Sequence, residues 1–431
     1  MSKRRVLIGG ALALLAVAAV AGVYVYNQLQ PTEMRGSAAR EFVPEAGPEK
    51  TKKPRLGVPW PTYAYDQQRS HVAAGFRHRP PYRRIWRFDA GDTVEYPPSV
   101  GYGNVYVPQQ RGDFFAVNGK TGKVVWKKDF KRCAAASPTI AKGVVYQAYM
   151  DFSKCPQDRP GADGFVVAMN AKTGKERWRF KAGPVESSPV LVNGILYFGS
   201  WDNRVYAVKA SNGKKVWSFQ ADEQVNTGAA YAAGRIVIGT DAGSLYALGA
   251  KDGRLIWRAQ SNSTFGSREF FYATPTIAYG RVYIGNTDGT MYAYGLKSGN
   301  LLWARPSGTY IYSAAAVDDR KVYFGTYDGN FYALDAATGD VRWKQPAPSS
   351  VHAAPTVMNG LVYYSTCDGC GTTGVRSVKV GPRGTFGLSV KNGKLMWKSK
   401  VGKLASPIVA DRERVYLIGQ SSVHALVERK R

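Results

Sequence analysis

Four cysteines offer the most specific chemistry in this sequence of 431 residues. Cys367 and Cys370 form a Cys-Asp-Gly-Cys segment, which predicts a small disulfide-closed loop, with a redox pair or half of a zinc site as the alternatives. No other Cys-x-x-Cys segment is present to complete a zinc site, and no histidine follows Cys370 as c-type haem attachment requires. Cys133 and Cys155 are predicted to form a second disulfide, because the repeat described below places both in loops of one face.

Groups for catalysis or metal ligation are otherwise sparse. The histidines are scattered without the spacing of a metal site: His71, His78, His352 and His424. Four aspartates occupy equivalent turn positions, which indicates hydrogen bonding within turns rather than metal ligation: Asp202, Asp241, Asp288 and Asp328. No nucleophile and base stand at a recognisable spacing. The sequence therefore favours a binding protein over an enzyme, with no catalytic or metal-ligating residues.

A further set of candidates combines positive charge with aromatic rings. The chain has 59 Lys and Arg against 31 Asp and Glu, a net charge of +28, which favours anionic partners without indicating a specific nucleic acid. Basic and aromatic residues that lie outside the repeat are predicted to bind an anionic chain or a protein. The alternative is that these residues only form a solvated rim in which the loops pack on one another. They are Lys131, Arg132, Lys154, Arg159, Arg268, Arg376, Lys379 and Arg383, with Trp201, Phe265, Phe270 and Phe271.

An internal repeat supplies the elements that position these residues. A signature of an aromatic or apolar residue, a small residue and an apolar residue occurs eight times, from residues 115–117 to residues 424–426. The first seven copies are followed, nine residues after their third position, by a tryptophan, and a glycine-containing turn lies between. Each unit supplies four antiparallel strands in about 40 residues. The repeat therefore predicts an all-β, eight-bladed β-propeller of four-stranded antiparallel blades.

The last copy of the repeat ends at Leu426, too near the C-terminus for a tryptophan strand to follow. An unpaired strand at residues 84–88 is predicted to complete that blade, so that the N-terminal strand closes the ring. The outer-strand tryptophans are predicted to fill the wedges between blades. They are Trp86, Trp126, Trp178, Trp217, Trp257, Trp303, Trp343 and Trp397.

The two faces of such a ring differ in loop length. One face carries only short turns, such as Lys142-Gly143, whereas the other carries the insertions near residues 149–164 and 365–384 and the blade linker near 261–271. Long loops on a rigid scaffold commonly carry recognition, so this second face is predicted to bind the partner.

The repeat resembles a known family. Residues 333–343 read Ala-Leu-Asp-Ala-Ala-Thr-Gly-Asp-Val-Arg-Trp, which looks like the pyrroloquinoline-quinone (PQQ) type of propeller repeat. Residues 60–63, Trp-Pro-Thr-Tyr, are similar to the entry segment of many such propellers, and the resemblance covers residues 60–431. The family includes quinoprotein alcohol dehydrogenases, the propeller subunit of the outer-membrane β-barrel assembly machine and propellers without a cofactor, so it leaves function open.

The resemblance also bears on the cofactor. The larger alcohol-oxidising members carry adjacent cysteines over the quinone, whereas Asp368 and Gly369 separate the nearest pair here. No cofactor is therefore expected, and PQQ with calcium is the alternative.

The N-terminus determines the predicted compartment. Residues 1–5 are basic and are predicted to be a cytoplasmic stub, and residues 6–26 form an uncharged apolar run long enough to be a transmembrane signal anchor. A signal peptide cleaved after residues 19–21, Ala-Val-Ala, is the alternative. Residues 27–59 are predicted to be a flexible linker, and residues 60–431 a propeller on the extracytoplasmic side of the cell membrane.

Together these features predict a membrane-anchored scaffold that binds a protein or a polymer in the cell envelope. The alternatives are a PQQ-dependent quinoprotein dehydrogenase and an envelope sensor that binds an anionic wall polymer.

Overall fold

The computed structural model describes residues 32–48, 57–151, 155, 162–261, 269–367, 383–402 and 408–429. Within these residues no helix is both long and apolar enough to cross a bilayer. The predicted signal anchor at residues 6–26 lies outside the described residues. The only regular helix among them is one 3-10 turn, Pro44–Ala46.

The described chain forms eight four-stranded antiparallel sheets, which confirms the predicted eight-bladed propeller. The innermost strands are β2 Ser99–Gly101, β6 Thr139–Ala141, β10 Val190–Val192, β14 Ala230–Ala232, β18 Thr276–Ala278, β22 Ala316–Asp318, β26 Thr356–Met358 and β30 Val409–Ala410. The second strands are β3 Asn104–Pro108, β7 Val144–Tyr149, β11 Ile195–Ser200, β15 Arg235–Gly239, β19 Arg281–Gly285, β23 Lys321–Gly325, β27 Leu361–Ser365 and β31 Val415–Ile418.

The third strands are β4 Asp113–Asn118, β8 Gly164–Asn170, β12 Arg204–Lys209, β16 Ser244–Gly249, β20 Thr290–Gly295, β24 Asn330–Asp335, β28 Thr385–Ser389 and β32 Ser422–Glu428. The outer strands are β5 Val124–Asp129, β9 Glu176–Ala182, β13 Lys215–Gln220, β17 Leu255–Gln260, β21 Leu301–Pro306, β25 Val341–Pro346, β29 Leu395–Ser399 and, from the N-terminus, β1 Tyr82–Asp89. The second and third strands are buried on both faces, because neighbouring blades stack on each side of them.

The ring closes inside the last blade. β1 pairs antiparallel with β32, with Phe88 opposite Val423 and Trp86 opposite Ala425. This blade has the order β1-β32-β31-β30, so the predicted closure by the N-terminal strand is confirmed. The inner strand β30 of this blade in turn contacts β2 of the first blade, which completes the circle.

Each outer-strand tryptophan from Trp86 to Trp343 reaches into the next blade around the ring. The indole Nε1 of Trp178, for example, donates to the carbonyl oxygen of Ala210 at 3.0 Å, in the turn between the third and outer strands of the following blade. Three residues further, Gly213 has φ +73° and lies so close to the same ring that a Cβ would be 2.7 Å from it. The glycine of the repeated turn is thus required both by its backbone angle and by the tryptophan beside it.

Residues 57–78 run across the channel of the propeller and are here termed the plug. The inner strand of a blade has an unpaired edge facing the channel, and its backbone groups need partners. The plug supplies them: the carbonyl oxygens of residues 61, 67, 68, 70 and 71 accept from the middle residues of five inner strands, Ile140, Tyr231, Ile277, Val317 and Val357. Trp60 exchanges two backbone hydrogen bonds with Val100 of the first blade.

Arg69 holds the plug in place from its centre. Its side chain has no exposed surface, and its guanidinium donates to the backbone oxygens of Ala229, Ser188 and Tyr63 at 2.7–2.9 Å and to the hydroxyl of Thr62 at 3.0 Å. Burial lowers the pKa of Arg69 to about 10, so the group remains charged at neutral pH. Four acceptors from the plug and two blades therefore compensate one buried cation.

Residues 32–48, part of the predicted flexible linker, lie against the outer side of the fifth and sixth blades. Met34 forms an antiparallel bridge with Ala304 of β21, and Arg35 pairs with Asp340 at 2.8 Å. The buried guanidinium of Arg281 donates to the backbone oxygens of Ser37 and of two further residues in this segment. This part of the chain is bound to the propeller rather than free, because it covers the exposed edge of an outer strand.

Candidate functional site

One face of the propeller carries the blade linkers and the connections between second and third strands; it is termed the loop face, and the opposite one the turn face. The connection between β7 and β8 on the loop face is held by the Cys133–Cys155 disulfide, which confirms that prediction. Arg132 also holds it, because its guanidinium contacts Asp151 at 2.8 Å and Asp163 at 2.6 Å. Arg132, predicted to contact a partner, is thus engaged within its own loop.

Other predicted binding residues divide into three groups. Lys131 and Arg383 are exposed on the loop face, and Phe270 is half-buried. Trp201 packs against Cys133, Ala135 and Met150, and Phe271, predicted as a surface aromatic, has no exposed area because it fills the core between the fourth and fifth blades. Lys154, Arg159, Phe265, Arg268, Arg376 and Lys379 lie outside the described residues, as does Cys370, so the Cys367–Cys370 disulfide stays a prediction.

The loop-face end of the channel brings together polar side chains that the sequence reasoning did not select. They come from equivalent positions, each four residues before an inner strand, and surround a cavity of about 70 Å³, here termed the channel mouth. These positions hold Glu95, Glu186, Asn226, Tyr272, Tyr312 and His352. Tyr96 adds a further ring, and Tyr63 of the plug also lines the cavity.

Glu186 is the most buried carboxyl group of the channel mouth, with 8% of its surface exposed. The hydroxyl of Tyr272 donates to Glu186 Oε1 in a very short contact, and the hydroxyl of Tyr96 lies 3.3 Å from the same oxygen. Burial raises the pKa of Glu186 to about 8, and the nearby carboxyl groups of Glu95 and Asp241 add to the rise. Glu186 is therefore mostly protonated at neutral pH.

A second polar pair lies across the channel mouth. Glu95 accepts from the side-chain amide of Gln110 at 3.1 Å, and its Oε1 lies 3.9 Å from His352 Nε2. His352 shares a hydrogen bond between its Nδ1 and the hydroxyl of Tyr327. Burial lowers the pKa of His352 to about 4 and raises that of Glu95. The imidazole is thus neutral at neutral pH and does not offset the carboxyl charge.

Two further polar atoms in the channel mouth have no hydrogen-bond partner among the described residues. Asn226 is 8% exposed and Ser313 is 4% exposed, and both line the cavity. Asn226 donates through Nδ2 to Asp241 at 2.7 Å, which leaves Oδ1 without a donor, and Ser313 Oγ is likewise unpaired. Buried polar atoms are normally satisfied, so water or a ligand in the cavity would complete the hydrogen bonds of these two.

The channel mouth does not fit the quinone of the dehydrogenase relatives. PQQ is a planar, three-ring tricarboxylate, and no Lys or Arg is among the described residues that line this cavity. A polyanion there would face Glu95 and Glu186 in a poorly solvated site, where like charges repel strongly. A space of about 70 Å³ also holds only a few water-sized groups.

Two larger cavities lie on the turn face, beside the plug. Their volumes are about 380 Å³ and 860 Å³; the smaller is lined by residues of the plug and inner strands that include Asp66, and the larger also by Arg77, Asp318, Asp319 and Arg412. Neither brings together as many side-chain hydroxyl and carboxyl groups as the channel mouth does. The channel mouth is therefore the better candidate for specific binding.

Comparison with known sequences places this geometry in context. A profile of the family described as outer membrane protein assembly factor BamB matches residues 81–218, 201–310 and 306–427. BamB of Shewanella oneidensis is 26% identical over 199 residues, 43% of this chain and 50% of that protein. The dehydrogenase subunit of the quinone-type alcohol dehydrogenase of Gluconobacter oxydans is 37% identical over 83 residues, 17% of this chain and 11% of that protein. The aligned region thus spans half of the first relative and about a tenth of the second.

Solved structures show the same architecture. BamB from Moraxella catarrhalis superposes with a TM-score of 0.64 at 15% identity, covering 80% of this chain and 100% of that one. Quinohemoprotein alcohol dehydrogenase from Comamonas testosteroni gives a TM-score of 0.66 at 13% identity, covering 88% and 82%. At these identities the likeness shows the fold alone.

Proposed function

The chain belongs to the family of outer membrane protein assembly factor BamB, and from that premise we propose that it is a protein-binding scaffold of the cell envelope. The observation that carries the proposal is an asymmetry between the two ends of the channel. The plug lies across the turn-face end and pairs with the inner strands. The loop-face end keeps a polar mouth with unpaired atoms among the described residues, and the longest connections between strands in the sequence belong to the same face.

Cross-links at the ends of one loop-face connection support this role. The Cys133–Cys155 disulfide and the two ion pairs of Arg132 with Asp151 and Asp163 fix described residues of the chain between β7 and β8. Contacts that are made before binding reduce the conformational entropy that is lost when a partner arrives. The dehydrogenase alternative is less well supported, because the channel mouth offers the quinone two carboxyl groups and, among the described lining residues, no cation.

The proposed location is the extracytoplasmic side of the cell membrane, with residues 6–26 as the anchor. The apolar run itself and the Cys133–Cys155 disulfide, which an oxidising compartment favours, support this location. If the proposal holds, the full chain stays in the membrane pellet after an alkaline wash, whereas a chain that begins at residue 27 is released.

Charge reversal on opposite faces tests the scaffold role. The loop-face variant Lys131→Glu/Arg383→Glu and the turn-face variant Lys120→Glu/Lys394→Glu each reverse two exposed charges in or beside the first and seventh blades. In capture of partner proteins from envelope extract, we expect the loop-face variant to lose affinity by about tenfold or more, as for interface hot spots. The turn-face variant is expected to match the wild type.

Equal losses in both variants would point to nonspecific attraction by the net charge and contradict the proposal. Adding PQQ and Ca²⁺ to the purified chain provides a separate test of the alternative. A quinone absorption spectrum together with reduction of a dye by an alcohol would make the protein a dehydrogenase instead.

A further inference from the structure

We propose that the channel mouth binds the head group of an organic cation, either an alkylammonium or a guanidinium group. The cation belongs either to a side chain of the bound partner protein or to a free small amine. Only the first of these two sources rests on the proposed function.

The acceptors and donors of the channel mouth are unbalanced. The carboxyl groups of Glu95 and Glu186 and the unpaired Oδ1 of Asn226 are acceptors that face one cavity. The nearby hydroxyl hydrogens of Tyr96 and Tyr272 are directed to Glu186. An occupant must therefore supply N–H or O–H donors, and a group with several donors and a positive charge complements all three acceptors.

Four tyrosine rings and the imidazole of His352 are among the other residues that line the cavity, and Tyr327 packs behind Tyr312. Tyr272 and Tyr312 meet edge to face with centroids 4.9 Å apart, and Tyr312 lies 4.9 Å from Tyr327 and 6.0 Å from His352. Rings arranged around a carboxyl-lined cavity attract ammonium and guanidinium groups through their π faces. The volume of about 70 Å³ suits such a head group, with its alkyl chain leaving through the loop face.

The charge environment favours a cation despite the net charge of +28. The titratable side chains that line the cavity with Glu186 are Tyr63, Tyr96, Tyr272, Tyr312, Glu95 and His352, with Asp241 nearby, and none of them is cationic at neutral pH. A buried cation, Arg69, lies behind this wall: its guanidinium carbon is 5.6 Å from the ring centroid of Tyr63, and the group is satisfied by four acceptors of its own. An entering cation therefore meets carboxyl groups without a competing basic side chain among the described residues of the lining.

Binding is expected to displace a proton. Glu186 holds its proton below pH 8, because burial raises its pKa to about 8, whereas the carboxylate is the form that pairs with a cation. Each pH unit below that value should weaken binding by about tenfold if one proton is released, and affinity should level off above it. Calorimetry in buffers of different ionisation enthalpy reports the released proton directly.

The probes are butylammonium chloride and methylguanidinium chloride, titrated into the full chain between pH 6 and pH 9. We expect saturable binding of at least one probe that tightens with pH, and a loss of about tenfold or more for Glu186→Gln, since a charged hydrogen bond is removed. Glu223→Gln removes the same charge from an exposed position on the loop face and serves as the matched control. Unchanged melting temperatures at pH 6 would show that both variants fold.

Three results would overturn the inference. The first is that neither probe binds saturably at pH 9. The second is that Glu186→Gln and Glu223→Gln change the affinity for the probes equally. The third is that CaCl₂ binds and excludes both probes, which would make the cavity a metal site. Capture of the envelope partner then identifies the carrier: loss in Glu186→Gln indicates a partner side chain, and retained capture with lost probe binding indicates a free amine. If the wild-type protein binds neither probe but still captures its envelope partner, this inference is refuted and the proposed scaffold role stands.

Discussion

Single residues at the channel mouth combine features that are unfavourable for folding. Glu186 is nearly buried, its carboxyl group faces that of Glu95, and Asn226 leaves an acceptor unpaired. Buried polar groups without full compensation reduce the free energy of unfolding. Their grouping at one cavity is therefore more consistent with binding than with structural stability.

The first prediction at this scale concerns the pH dependence of stability. The pKa of Glu186 is about 8 in the folded protein and near the ordinary glutamate value when unfolded, so ionisation opposes folding increasingly as the pH rises from about 5 to 8. Glu186→Gln cannot ionise. We expect its melting temperature, relative to the wild type, to increase by several degrees between pH 5 and pH 8.5, measured by calorimetry.

Glu223→Gln is the control for that prediction, because Glu223 is exposed and should show no such trend. A constant difference between Glu186→Gln and wild type across the pH range would mean that Glu186 is ionised in the folded protein at neutral pH.

The loop disulfide and the role of Arg132 show what sequence can reveal at this scale. The repeat placed Cys133 and Cys155 on one face, so their pairing could be predicted. The ion pairs of Arg132 could not be predicted, because its acceptors Asp151 and Asp163 are 19 and 31 residues away and nothing in the sequence shows that they lie beside it.

At the scale of elements, seven of the eight pairs of neighbouring blades are joined by a tryptophan, from Trp86 to Trp343, and a turn glycine of the next blade. The indole donates to a turn carbonyl three residues before the glycine, and the ring fills the space where a Cβ would be. Spacing in the sequence was enough to predict the tryptophan wedges, but not the hydrogen bond, because its acceptor is a backbone oxygen of any residue type.

The second prediction separates backbone strain from ring contact at this joint. Gly213→Ala places a methyl group against Trp178 at a φ of +73°, whereas Gly194→Ala in the same blade has a φ of +82° and no atom within 4 Å of the new methyl group. We expect Gly194→Ala to cost about 1 kcal/mol from strain alone. Gly213→Ala should cost about 1–3 kcal/mol more from overpacking.

Urea denaturation of both variants measures the difference. If both variants lose the same free energy of unfolding, the ring of Trp178 moves aside without an energetic penalty. The glycine of the repeated turn would then be required only because of its positive φ.

At the scale of the whole molecule, the ring depends on one noncovalent seam, the pairing of β1 with β32. Every other blade is a continuous stretch of chain. Phe88 supports the seam, since it is 8% exposed and its ring packs edge to face on Phe115 of the first blade at 5.1 Å.

The third prediction compares the seam with an ordinary blade. Phe88→Ala removes an aromatic ring at the seam, and Phe180→Ala removes the ring two residues after Trp178 in β9, where Tyr206 is 5.3 Å away. Both should lower the free energy of unfolding, Phe88→Ala by about 3 kcal/mol. Only Phe88→Ala is expected to accelerate hydrogen exchange in β1 and β32 ahead of global unfolding. Uniform exchange in both variants would contradict the seam as the weakest point.

Blade number, strand order and ring closure could all be predicted because each follows from local spacing repeated along the chain. The plug and the bound segment at residues 32–48 could not, since each contacts blades far away in sequence and neither repeats. The channel mouth does have a signal in the sequence: in six units the residue four positions before the inner strand is polar or aromatic, namely Glu95, Glu186, Asn226, Tyr272, Tyr312 or His352. Aligning the repeats on the inner strand reveals that polar ring.

The seam also sets the timing of folding during synthesis. β1 leaves the ribosome long before β32, so its edge has no partner while the chain from Asp89 to Ser422 is being added. At about 5–20 residues per second this interval lasts roughly 17–67 s. A nascent chain therefore carries an open strand edge until translation is nearly finished, and any message truncated before Ser422 yields a product that can never hide it.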